Sequence, residues 1–230
     1  MEFGPLIEGR LLRRYKRFLA DVELCDGQVV VAHCANPGSM ATCSPPGARV
    51  WLSRADNPAR KLRYTWELVE VDGALVCVNP VRANDLVAEA IERAVVRELA
   101  GYRTLRREVR RNGSRFDLRL EGGGAPCWVE VKSATLAVGP GVVAFPDAVT
   151  ARGARHAREL ADAAAAGDRA VLLFSCARSD AQRLRPADHV DPEYGRALRD
   201  AVAAGVEVLA YRGAIDLRGM RLVERVPVDL

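Results

Sequence analysis

Hydrophobic and polar positions along this chain follow two different periods. Over residues 1–83 the apolar residues come in short runs rich in Val, Leu, Tyr and Trp, which predict strands at 9–18, 20–24, 28–33, 48–53, 64–71 and 75–79. Turn-forming clusters separate them: Cys25-Asp26-Gly27, Asn36-Pro37-Gly38, Pro45-Pro46-Gly47 and Val71-Asp72-Gly73. Short strands at this density predict a small antiparallel barrel, with the OB-fold as the natural candidate.

From residue 84 the period changes. Leu86, Val87, Ala90, Ile91, Ala94, Val95 and Leu99 fall at helical spacing, which predicts a helix over 85–99 with Asn84 as its N-cap. Strands follow at 104–110, 115–120 and 127–132. A helix over 152–166 ends at Gly167, and a very apolar strand occupies 170–176. A further helix over 193–204 ends at Gly205 and leads into a strand at 206–211. Strands alternating with crossover helices imply a mixed α/β sheet covered on both faces. The reading is therefore a barrel domain over 1–83 and an α/β domain over 84–230.

Candidate chemistry lies in the hairpin formed by strands 115–120 and 127–132, whose turn is Glu121-Gly-Gly-Gly-Ala-Pro126. Pairing Leu120 with Cys127 puts Asp117 opposite Glu130. Side-chain alternation places Phe116, Leu118, Leu120, Cys127, Val129 and Val131 on one face. Arg115, Asp117, Arg119, Trp128, Glu130 and Lys132 share the other. Two carboxylates directly opposed across strands repel each other. A divalent cation such as Mg²⁺ or Mn²⁺ reverses that penalty, because carboxylate oxygens ligate Mg²⁺ at about 2.0–2.1 Å. Lys132 sits two residues past Glu130 and reaches the same point, where an amine can orient or deprotonate a water or stabilise developing charge. On an open hairpin the same residues would form a surface charge ladder worth only a few tenths of a kcal/mol per pair. With both sheet faces covered, such charges are costly unless they line a cleft.

Composition narrows the partners. The 230 residues are 49% hydrophobic and carry a net charge of +4, enough for a core but too mild a charge to name a ligand. Of the 34 basic residues only Lys16, Lys61 and Lys132 are lysine, so each marks a place where arginine has not been substituted. Five of the residues from Arg10 to Arg17 are basic (Arg10, Arg13, Arg14, Lys16 and Arg17), with Tyr15 and Phe18 interleaved, a pattern suited to a nucleic-acid backbone and base stacking. No run approaches a membrane span, no signal peptide is evident, and there is no glycine-rich phosphate loop to support an enzyme of sugar metabolism. The six cysteines are scattered, without C-x-x-C pairs, as expected of reduced core thiols in a cytoplasmic protein.

Long ordered segments resemble the sugar fermentation stimulation protein A family. They are Leu11-Leu-Arg-Arg-Tyr-Lys-Arg-Phe18, Ala32-His-Cys-Ala-Asn-Pro-Gly-Ser-Met40, Arg60-Lys-Leu-Arg-Tyr-Thr-Trp-Glu-Leu-Val-Glu70, Ser114-Arg-Phe-Asp117, Val129-Glu-Val-Lys-Ser133 and Ala144-Phe-Pro-Asp-Ala-Val-Thr-Ala-Arg-Gly153. Pro37 stands where the family motif has a small polar residue. The resemblance implies an OB-type domain, a PD-(D/E)XK nuclease-like domain, DNA binding and a role in regulating sugar metabolism. Asp117 and Glu130 are then the expected metal ligands and Lys132 the catalytic amine. In that superfamily an acidic residue of the first helix often joins the metal, and here Glu89 is preferred over Glu92 and Glu98. Thr150, Arg152 and His156 surround the start of the next helix, where the N-terminus favours phosphate, and are expected to hold the DNA backbone. Two functions follow: a Mg²⁺-dependent nuclease acting on DNA, or a non-cleaving transcriptional regulator with a vestigial site. DNA is the expected partner, no membrane is involved, and a homodimer stays open.

Overall fold

The computed structural model describes residues 1–57, 59–111 and 113–230. The first six strands are β1 (Leu6–Tyr15), β2 (Leu19–Leu24), β3 (Val29–His33), β4 (Arg49–Arg54), β5 (Tyr64–Val71) and β6 (Ala74–Cys77). They lie in the order β3-β2-β1-β4-β5-β6, and a parallel contact of Ala32 and His33 with Tyr64 and Thr65 closes β1–β5 into a barrel. Alternation fills its interior: Val30 and Ala32 point in while Val29 and Val31 point out, and Leu11, Val22, Leu52 and Trp66 complete the packing. β1 ends at Tyr15, earlier than its apolar pattern suggested. Lys16 and Arg17 adopt left-handed backbone angles (φ 47° and 64°) and form the turn into β2.

Helix α1 (Arg82–Glu92) begins three residues before the predicted start and ends seven before the predicted end. Ala94 turns left-handed (φ 54°), and a single 3₁₀ turn, Arg97–Leu99, follows. The apolar period continued across this break because Val96 and Leu99 are buried in the same core as the helix. Asn84 is consequently not the cap. It lies inside the first turn, with its side chain free to point elsewhere.

The second domain contains β7 (Thr104–Arg111), β8 (Ser114–Glu121), β9 (Cys127–Ala134), β10 (Leu136–Gly139), β11 (Val142–Phe145), α2 (Ala151–Ala165), β12 (Arg169–Cys176), β13 (Arg183–Pro186), α3 (Pro192–Ala203), β14 (Glu207–Ile215) and β15 (Met220–Arg225). Its main sheet runs β15-β14-β12-β9-β8-β7, with β9, β12 and β14 parallel and the remaining pairs antiparallel. β12 is apolar from Ala170 to Phe174 because it is buried on both faces: Val171 and Leu173 pack toward α1, Leu172 and Phe174 toward α2 and α3. Trp51 and Leu68 of the barrel join the α1 side, so the two domains share one core. A small sheet, β10-β11-β13, was not foreseen. Its strands are four residues each, and β13 reads Arg-Leu-Arg-Pro, too short and polar to register.

Candidate active site

Hairpin β8–β9 has the expected register, with Leu120, Arg119 and Leu118 opposite Cys127, Trp128 and Val129. The ladder stops there, one step before Asp117 and Glu130. Asp117 Oδ2 instead accepts the backbone N–H of Val131 at 2.8 Å, and Oδ1 accepts from the Asn84 side chain at 2.8 Å. On its other side, the pairing of β7 with β8 steps from Arg107↔Leu118 to Val109↔Phe116, and Glu108 between them is left-handed (φ 56°). Strict alternation fails here. Phe116 packs with Trp128 (ring centroids 5.4 Å apart) on the α2 side, not with Leu118 on the α1 side. The kink opens the sheet around Asp117, and the carboxylate fills the gap.

Glu130 is 3% exposed, and its Oε1 accepts from Lys132 Nζ at 2.6 Å and from His156 Nδ1 of α2. His156 Nε2 accepts from Arg152 Nε at 3.3 Å. These contacts assign the imidazole proton to Nδ1, since one ring nitrogen must donate to the carboxylate and the other must accept. Glu130 Oε2 is buried without a partner, and so is the hydroxyl of Tyr194, in the first turn of α3. Burial, then the nearby Glu130 charge, raises the Asp117 pKa. Burial acts the same way on Glu130, but the His156 hydrogen bond and the Lys132 charge outweigh it and hold Glu130 below the usual carboxylate range.

Asp117, Glu130 and Lys132 form the floor of a cleft of about 550 Å³ between the domains. One wall comes from the barrel: Arg17 and the Asn36–Pro37–Gly38 turn. Arg14 holds this turn by donating to the carbonyls of Asn36 (3.0 Å), Gly38 (2.8 Å) and Ser39 (2.8 Å). Gly38 lies so close to the Asp147 carboxylate that a Cβ has no room, and Asp147 Oδ2 accepts the Met40 N–H at 3.0 Å. The adjoining wall is the loop before α2, with Arg152 and the N-cap Thr150, whose hydroxyl accepts the Gly153 N–H at 3.0 Å.

The structure brings Asp117, Glu130, Lys132, Thr150, Arg152 and Arg17 into this cleft, and His156 beneath it. His156 is 4% exposed and spends its ring on Glu130 and Arg152, so it supports the site from below the surface. Glu89 is not among the lining residues: it accepts from the Met1 ammonium at 2.6 Å and from Arg93 at 3.1 Å. Arg10 reaches the Gly47 carbonyl, and Arg13 pairs with Asp21 and lies over the Tyr15 ring. Lys16 is exposed in the β1–β2 turn. Asn84, Asp147 and Tyr194 were missed. Asn84 reads as a cap, Asp147 stands in the Ala144–Gly153 segment with no role that its local pattern assigns, and Tyr194 carries no local signal because only the fold brings it near Glu130.

These residues could hold a divalent ion. Glu130 Oε2 is a buried oxygen lacking a partner, and each Asp117 oxygen has capacity beyond its single hydrogen bond. Among the described residues, no three His, Cys, Asp or Glu side chains are arranged as a complete metal cage.

The sugar fermentation stimulation protein RE domain matches residues 81–219, and the SfsA N-terminal OB domain matches residues 12–78. The chain belongs to the sugar fermentation stimulation protein family. A homolog from Maricaulis maris is 60% identical over 208 residues, covering 90% of this chain and 88% of that protein. One from Geobacter metallireducens is 54% identical over 98% of both chains. Among solved structures, Pyrococcus furiosus SfsA in complex with Ca²⁺ superposes with a TM-score of 0.90 at 29% identity, covering 100% of this chain and 98% of that one. Family membership accounts for the barrel followed by the mixed sheet.

Proposed function

We propose that this family member is a DNA-binding protein with a divalent-metal-dependent phosphodiester-cleaving site, acting in the cytoplasm. The observation that carries the reading is the meeting of Asp117, Glu130 and Lys132 on the floor of one cleft. Asp117 and Glu130 would hold the ion, Mg²⁺ or Mn²⁺, and the Ca²⁺ of the Pyrococcus relative supports a divalent site. When bound, such an ion polarises a phosphodiester and lowers the pKa of a water. Lys132 Nζ, a compact amine close to Glu130, orients that water or stabilises the developing phosphoryl charge. His156 and Asn84 fix the two carboxylates, and Arg17 and Arg152 supply cations for the phosphates on either side. Five of the six cysteines are buried and all six are free, which suits a reducing compartment. No helix among the described residues is long and apolar enough to cross a membrane.

Cleavage of DNA with Mg²⁺ or Mn²⁺, by wild type and by Asp117→Ala, Glu130→Ala and Lys132→Ala, tests the reading. Activity unchanged in all three variants would overturn it. One observation favours a second reading, a non-cleaving DNA-binding regulator of sugar metabolism: Glu130 Oε1 is already engaged by Lys132 and His156. Sequence-specific, salt-sensitive binding that survives all three substitutions, with no cleavage, would support that alternative.

A further inference from the structure

Val81 and Val149 are the two most exposed large hydrophobic residues among those described, at 71% and 78%, and both line the cleft. Scattered apolar residues on a surface need no explanation. Two beside the starts of the helices that flank one charged cleft do. Val81 precedes α1 and Val149 precedes α2, so they stand on elements that cover opposite faces of the sheet. Neither lies on a slack loop. The Val81 N–H donates to Asn79 Oδ1 at 3.2 Å, the Thr150 N–H donates to Asp191 Oδ2 at 2.8 Å, and Asp147 is tied to Met40. The backbone thus holds both side chains out toward solvent at a small ordering cost on binding.

Below them lie cations and carboxylates. Arg17 and Arg152 line the walls and Lys132 the floor, while Glu130 is buried at 3% exposure. A ligand that satisfies both layers carries phosphates at regular intervals and apolar flat faces between them. Double-stranded DNA hides its base faces in the stack and presents a convex backbone. An unpaired strand exposes both, and its bases commonly lie against apolar side chains while the backbone follows a cationic groove. The volume also falls in the ordinary small-ligand range of about 300–1,000 Å³, which suits a nucleotide or two.

Resting on the nuclease reading above, we propose that the substrate is an unpaired DNA strand, whose bases are gripped between Val81 and Val149 as its phosphate descends to Asp117 and Glu130. Fluorescence anisotropy with a labelled 20-nucleotide single strand and a blunt duplex of equal length, both with Ca²⁺ present, tests this. Wild type is expected to bind the single strand about tenfold tighter, and Val81→Ser/Val149→Ser to lose most of that preference, while its thermal midpoint and Ca²⁺ affinity stay at wild-type values. A control pair, Val29→Ser/Val31→Ser, removes exposed apolar side chains from the barrel surface and is expected to keep the preference. The proposal is overturned by equal or tighter binding of the duplex, by an undiminished preference in Val81→Ser/Val149→Ser, or by its loss in the barrel pair. The nuclease reading fails separately, through absence of cleavage of any DNA with Mg²⁺ or Mn²⁺.

Discussion

Asp117 Oδ2 accepts the Val131 N–H at 2.8 Å, a donor that regular pairing would have given to a backbone carbonyl. One carboxylate therefore ends the β8–β9 ladder and stands one residue from each of Glu130 and Lys132. Because the side chain and not the backbone bridges the strands here, the sheet opens beside Glu130 and Lys132.

Asn84→Ala removes the side-chain donor to Asp117 Oδ1 without touching any proposed ligand. Cleavage is expected to fall about tenfold, since losing a hydrogen bond to a charged group costs about 1.5–3 kcal/mol of positioning. The same bond contributes to the fold, so the melting temperature should fall as well. Single-turnover kinetics beside thermal melts would separate the two, and full activity would remove Asn84 from the site.

Asp117 and Glu130 predict opposite pH trends in stability. The Asp117 pKa is raised by burial and by Glu130, so its contribution is complete below the unfolded value and is lost as pH rises through the folded one. Asp117→Asn should thus melt higher than wild type at pH 7–8, the gain vanishing in acid, as Asn84 can turn its amide to meet the new one. Glu130 is held low by His156 and Lys132 despite burial. Its contribution is present above the unfolded value and lost as pH falls through the folded one. Glu130→Gln, which leaves Lys132 and His156 without their anion, should cost about 3 kcal/mol at neutral pH and progressively less in acid. Melting curves from pH 3 to 8 check both signs.

Divalent ions should stabilise the folded chain through this same pair. At an ion concentration 100 times Kd the gain is about 2.7 kcal/mol, read as a rise in melting temperature with Ca²⁺ or Mg²⁺. Asp117→Asn is expected to abolish most of that rise. An equal rise in the variant would move the ion elsewhere.

Arg17 and Arg152 line the cleft from different domains. Replacing either by Ala should weaken DNA binding to a similar degree for all sequences and lower the slope of log K against log salt by about 1. Arg13→Ala is the contrasting case: its guanidinium is committed to Asp21 at 2.7 Å, so the slope is expected to change far less.

Arg14 offers a test of the domain junction. Its guanidinium donates to three carbonyls of the turn at Asn36, Gly38 and Ser39, so Arg14→Ala should raise hydrogen exchange across residues 36–40 and lower DNA affinity through a loosened cleft wall. Unchanged exchange there would mean that the Gly38–Asp147 contact alone holds the wall.

Local periodicity made the barrel, the mixed sheet and the register of the β8–β9 hairpin legible from sequence, and with that register the nearness of Asp117, Glu130 and Lys132. Each depends on residues a few positions apart, where alternation and turn chemistry act directly. Boundaries failed where tertiary packing overrode that pattern. Val96 and Leu99 kept a helical apolar period past the end of α1 because the shared core, and not the helix, buries them. Phe116 left the face that alternation assigned because the sheet kinks at Asp117. The basic run of β1 looked like one binding face, yet Arg13 and Arg14 are spent on internal contacts and Arg17 alone of that run lines the cleft. Which of Asn84 and Glu89 meets the site, and that His156 supports Glu130 from below, depended on where α1 and α2 dock. Docking is set by side chains far apart in the chain, so no local pattern could have carried it.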